Sequence, residues 1–158
     1  MRTLRKFSLY LRQGELIIEV IHDYINDEFY IKEKIDNQTF KISFQIVEEN
    51  LDSLYINIAL VIYNKRKHID HLEANKIISG LNPFKSVILA IKAFKMLEKE
   101  VLNHFKNYNI FIYCTWIDNR RRQAYEKFLT KQGYNYGTSP YGELCLFKKY
   151  PKGKDNND

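Results

Sequence analysis

The chain is poor in cysteine, proline, glycine and tryptophan, with two Cys, three Pro, six Gly and one Trp among 158 residues. Cys114 and Cys145 show no C-x-x-C spacing, which excludes a disulfide-stapled scaffold and argues against a thiolate metal site or redox pair. Both are read as buried thiols inside strands. The shortage of Pro and Gly excludes collagen-like and low-complexity architectures, and no linker or internal repeat interrupts the chain. One domain over 1–150 is expected, followed by a loose C-terminal tail over 151–158. No apolar run approaches the roughly 20 residues of a membrane-spanning helix. The basic start Met1-Arg2-Thr3-Leu4-Arg5-Lys6 meets Arg12, Glu15 and Glu19 before a signal-peptide core can form, so the expected location is cytoplasmic, with no membrane partner. Metal-ligand spacing is missing too. His68-Ile69-Asp70-His71-Leu72-Glu73 holds metal-capable side chains without a recognised pattern, and no metal is expected there.

What is present is charge and aromatic bulk. Twenty-five Lys and Arg against nineteen Asp and Glu give a net charge of +6, with a pI near 9.2 and a mean hydropathy of −0.44. Such a balance favours an acidic partner, although the same lysines also serve solubility. Twelve Tyr and ten Phe predict an aromatic-rich core in which each buried Tyr needs a place for its hydroxyl.

From Phe7 to Tyr63 the residues alternate and are rich in β-branched and aromatic types, predicting a meander of antiparallel strands. Strands are expected at Phe7–Leu11, Leu16–His22, Phe29–Ile35, Phe40–Ile46 and Tyr55–Tyr63, the last a central strand covered on both faces. Phe40, Ile42, Phe44 and Ile46 should face the core, with Lys41, Ser43 and Gln45 facing water. Asn82-Pro83 then announces a helix, with Asn82 as the cap and Pro83 in the first turn. Phe84, Val87, Ile88, Ile91, Phe94, Leu97 and Val101 recur at three and four along it. At about 1.5–3 kcal/mol per buried large side chain, that stripe contributes on the order of 10–20 kcal/mol before entropy is subtracted. A buried strand over Ile110–Cys114, a second helix stopped by Gly133 and a final strand over Leu144–Lys148 complete the pattern.

Ile110-Phe111-Ile112-Tyr113, Asp118, Tyr125-Glu126-Lys127 and Gly133-Tyr134, in that order of elements, resemble the GNAT N-acetyltransferase superfamily. They are similar to its late strand, its Asn-initiated helix, its Tyr-Glu-Lys and its Gly-aromatic ending. Gly80 to Phe84 and Asp118 to Arg121 are similar to the Gly-x-x-Pro-Phe and Asp-x-x-Arg of an uncharacterised, degenerate acetyltransferase-like branch. The resemblance implies an α/β (α+β) fold, a mostly antiparallel twisted sheet of six to seven strands with two main helices packed on it. It also implies acetyl-CoA as cofactor, with its pyrophosphate against Ser79, Gly80, Leu81, Asn82 and Phe84, and Tyr125 as the acid that protonates the leaving thiolate.

The departures matter as much. Asp118 stands where the superfamily has Asn, and the helix through Phe128 to Gln132 is about one turn longer than its pattern. The superfamily's Arg/Gln-x-x-Gly-x-Gly/Ala loop keeps one glycine here, Ile77 takes the Arg/Gln position, and Pro83 removes a backbone donor from the anion nest. No cofactor is therefore firmly implied. Tyr125 also fits a packing role beside Ala124, Phe128 and Leu129, and Glu48 and Glu49, candidate bases, also fit as solvated acids at a strand end. Arg120, Arg121 and Arg122 sit in the first turn of the second helix, where positive charge opposes the helix dipole and so has no local electrostatic reason. They are the candidate anion or partner surface, unaccompanied by an aromatic RNA-binding sheet signature. The leading expectation is a non-catalytic acetyltransferase-like domain that binds a protein or nucleic-acid partner, in a phage, mobile-element or defence setting. The alternative is an acyl-CoA-dependent N-acyltransferase.

Overall fold

The computed structural model describes residues 4–9, 18–35, 38–64, 83–116 and 119–153. Its elements are α+β: mostly antiparallel strands and two helices. The chain divides into two compact units of interleaved segments, one from Met1–Phe44 and Ala59–Val101, the other from Gln45–Ile58 and Leu102–Asp158.

The first unit holds strands β1 (Leu4–Leu9), β2 (Ile18–Asp23) and β3 (Glu28–Ile35), the early part of β4 (Gln38–Glu49), the late part of β5 (Ser53–Asn64), and helix α1 (Pro83–His104) as far as Val101. Its strands follow the hydrogen-bonded order β1-β2-β3-β4-β5. β1 and β2 run antiparallel from Leu4 opposite Asp23 to Leu9 opposite Ile18. β2 returns into β3 through a turn that Asp23 organises: its Oδ1 accepts from the Ile25 and Asn26 N–H groups at 3.0 and 3.3 Å. That is the side-chain mimicry of a backbone turn expected of Asp. β3 and β4 are neighbours separated by two residues, a connection too short for anything but an antiparallel pair.

The alternation of β4 appears as buried Phe40, Ile42 and Phe44, and Phe44 meets Phe94 of α1 edge to face at 5.6 Å, a favoured aromatic geometry. The helix buries Ala93, Phe94, Leu97 and Val101 and exposes Lys92, Lys95 and Lys99, as its three-and-four spacing requires. The opposite side of β4 is less wet than the alternation predicts. Ser43 is buried, and Lys41 bonds Glu28 of β3 at 2.6 Å while lying 4.4 Å from the centre of the Tyr30 ring. A lysine with a carboxylate and an aromatic partner no longer needs water on every side.

The second unit holds Gln45–Glu49 of β4, Ser53–Ile58 of β5, β6 (Asn109–Cys114), helix α2 (Asn119–Leu129) with a 3-10 turn over Thr130–Gln132, β7 (Asn135–Thr138) and β8 (Leu144–Tyr150). Its strand order is β4-β5-β6-β8-β7. β5 and β6 pair in parallel from Ser53 opposite Asn109 to Asn57 opposite Tyr113, which demands the long crossover that α1 lies in. β6 and β7 each run antiparallel to β8, which lies between them. One face of this sheet is dry: Leu54, Ile56, Ile110, Ile112, Cys114, Leu146 and Tyr150 are all buried. On that face the Lys148 ammonium donates to the Gln132 carbonyl at 2.9 Å and ties the 3-10 turn down. The other face carries a row across three strands, Tyr55 stacked on Phe111 at 4.8 Å and Lys149 5.1 Å from the Phe111 ring.

Each of the seven strands read from the sequence has a counterpart among the described residues, the 10–11 and 16–17 portions of the first two lying outside them, and β7 is an eighth that the reading lacked. Among the described residues no helix is long and apolar enough to cross a membrane.

Candidate functional site

Helix α2 begins at Asn119 and carries Arg120, Arg121 and Arg122 in a first turn that holds no acidic residue. The chain leaves the helix through the 3-10 turn and reverses at Gly133, whose φ of 87° is the left-handed stop that the sequence predicted. Tyr134, the residue before β7, is buried at 1% exposure, and Tyr136, two positions on, falls on the same side of the strand. Tyr136 is 39% exposed and is the centre of the site.

Arg122 comes to it from the helix. Its Nε donates to the Tyr136 hydroxyl at 3.3 Å, and the guanidinium carbon lies 5.7 Å from the ring centre. Trp116, just beyond the end of β6, meets the same ring edge to face, with centroids 6.0 Å apart at 88°. One tyrosine therefore holds a cation and an indole, both half-buried, at the mouth of the β7–β8 hairpin. The bond uses one of the five N–H donors of the guanidinium, and cation–π contact holds its plane near the ring. Leu144, the partner of Thr138 across the hairpin, is 57% exposed, and Tyr141 at the loop tip is 68% exposed. Trp, Tyr and Arg anchors with an apolar neighbour are the composition of a binding hot spot. What the arrangement offers is recognition: an apolar and aromatic footing beside fixed positive charge.

The hairpin loop is firmly built. Ser139 is buried, its hydroxyl accepts from the Tyr141 and Glu143 N–H groups at 3.2 Å each, and its own N–H donates to the Glu143 carbonyl at 2.8 Å.

Tyr125, the candidate acid, lies one turn along α2 from Arg122 and is half-buried. Glu49, a candidate base, accepts from the Tyr108 hydroxyl at 2.7 Å, and this bond, with the carboxylate charge, raises the Tyr108 pKa. Glu48 is exposed and accepts from Asn50 at 3.4 Å. Ser79, Gly80, Leu81 and Asn82 lie outside the described residues, as does the 68–73 stretch; Phe84 falls in the first turn of α1, and its side chain, like those of Arg120 and Arg121, is outside the description. Cys114 and Cys145 are both buried free thiols, and burial pushes them up to about 12 and about 11, which makes them unreactive at neutral pH. Among the described residues no group of three or more His, Cys, Asp or Glu side chains is placed to hold a metal ion.

Of the sequence candidates, the structure brings Arg122 into a defined cluster and puts Tyr125 on the same helix one turn away. Trp116, Tyr136 and Leu144 were not read as site residues. The one available signal was the Tyr134-Asn135-Tyr136-Gly137 alternation after a helix stop, which marks a short strand with both Tyr on one face. No family model, no curated protein and no solved structure matches the chain.

Proposed function

We propose that the chain is a non-catalytic binding domain of acetyltransferase-like architecture, and that it recognises an anionic partner, protein or nucleic acid, through the Arg122–Tyr136–Trp116 surface. The observation that carries this reading is the Arg122 guanidinium set on a Tyr136 ring that is itself 39% exposed, next to a first helical turn with no acid to neutralise it. An arginine that only solvated the helix would not need a tyrosine hydroxyl and a ring to fix it. The architecture is supported by a parallel β5–β6 pair inside an otherwise antiparallel order and by β8 lying between β6 and β7. The absence of catalysis is supported by the loop before α1, which keeps Gly80 alone of the paired glycines and has Pro83 where a donor is needed.

The decisive experiment is calorimetric titration of acetyl-CoA and of CoA into the protein, beside the variant Gly80→Glu. The expected result is no saturable heat in either protein. Saturable binding that Gly80→Glu abolishes overturns this reading in favour of an acyl-CoA-dependent N-acyltransferase and calls for an amine-substrate screen, with Tyr125 the first residue to replace by Phe.

A further inference from the structure

The open side of β7 belongs to the same surface and narrows the kind of partner it fits. β7 stands last in the strand order of its unit, with β8 as its one strand neighbour among the described residues. Each residue of an edge strand turns its backbone N–H and C=O toward one side or the other, so half of these groups along Asn135–Thr138 point away from β8. Edge strands are commonly blunted by lysine, proline or a bulge. Asn-Tyr-Gly-Thr has no charge and no proline, pairs with β8 in unbroken register, and leaves Asn135, Tyr136 and Thr138 exposed.

We propose that β7 accepts an extended acidic peptide segment as an added antiparallel or parallel strand. This rests on the reading that the Arg122 surface binds a partner. An added strand lies about 4.8 Å from β7 and repeats its side chains every second residue. Its residues on the helix side fall beside Tyr136 and the Arg122 guanidinium, and there the complementary side chains are Glu and Asp. On the opposite side it passes Asn135 and Gly137, where there is no charge to answer and small or β-branched residues fit.

The edge itself chooses peptide over nucleic acid. It offers donors and acceptors alternately, and a phosphate backbone, which only accepts, would leave the β7 carbonyls unanswered. A peptide strand supplies both at the matching interval. β7 is four residues long, so the dock suits one short segment rather than a whole sheet edge.

The test uses four probes: a fluorescent hexapeptide alternating Glu and Val, two versions of it N-methylated at alternate residues, one in each register, and an oligothymidylate of similar charge. Anisotropy titration should show the plain peptide binding, with affinity lowered about tenfold or more by Arg122→Glu and by N-methylation in one register. Amide exchange should show alternate N–H groups of Asn135–Thr138 becoming protected by the plain peptide. If both N-methylated peptides bind as well as the parent, or no β7 amide gains protection, strand addition is wrong while the Arg122 surface stands. If the oligothymidylate binds in an Arg122-dependent way and the peptide does not, this proposal falls and the partner is nucleic acid. Failure of the binding reading itself shows separately: neither the peptide nor the oligothymidylate binds, or what binds is unchanged by Arg122→Glu.

Discussion

Gly137 is a glycine for reasons of space rather than of backbone angle. A Cβ placed there would lie 2.3 Å from Cε1 and 2.4 Å from Cδ1 of Phe147, the ring that fills the glycine's missing side chain from the neighbouring strand. Gly137→Ala therefore has to displace an aromatic ring, and the expected loss is about 1–3 kcal/mol despite the gain in strand propensity. The measurement is urea denaturation of Gly137→Ala, Phe147→Leu and the double variant. The ring being the obstacle, the double variant should lose less than the sum of the singles; strict additivity would show that the clash is relieved elsewhere. This contact also explains why β7 escaped the sequence reading. A glycine in a four-residue strand argues against a strand by propensity, and only the ring opposite supplies the missing packing. Ser43 and Lys41 were misjudged for a similar reason. Alternation marks which residues share a face, whereas what covers that face, here Glu28 and Tyr30 for Lys41, depends on a neighbouring strand.

At the scale of the element, α2 separates stability from recognition. Its N-terminal turn carries arginines where the helix dipole favours acids, so Arg120→Glu and Arg121→Glu should each stabilise the fold by about 0.3–1 kcal/mol at low salt. The same changes should weaken binding of the acidic hexapeptide, and thermal melts read beside the anisotropy titrations check both signs at once. Variants that lose binding and stability together would make the arginines a structural feature instead. The charge on this turn was plain in the sequence, as were the α1 stripe and the Gly133 stop, because all three are local patterns. The partnership of Arg122 with Tyr136 and Trp116 was not, because the three come from a helix, a strand and a strand end that only the fold brings together. The Gly80 to Asn82 loop remains a sequence reading, and its test is the acetyl-CoA titration.

For the molecule as a whole, buried acids with raised pKa values set the alkaline limit. Burial pushes Tyr113 from 10.0 up to about 12, Cys114 from 9.0 up to about 12 and Cys145 from 9.0 up to about 11. In the unfolded chain these groups lose their protons first, so above about pH 9 the native state binds more protons than the unfolded one. Stability should accordingly be independent of these groups below about pH 9 and fall as pH rises from there through 11 and 12. Chemical denaturation at stepped pH measures the slope, which should shrink in Cys114→Ala and Cys145→Ala; an unchanged slope in both would place its origin elsewhere.

β8 follows β7 in the chain yet lies between β7 and β6. β7 thus has no place in the sheet until its successor exists, and the two strands gain most by closing on each other first, across the loop that Ser139 ties, and docking on β6 as a finished ribbon. Hairpins close in microseconds, whereas the docking joins segments far apart in the chain. The loop of Ser139–Glu143 is then expected to matter for folding rate as well as for shape: Ser139→Ala, which removes the hydroxyl that two loop N–H groups bond, should slow refolding of this half in stopped-flow traces.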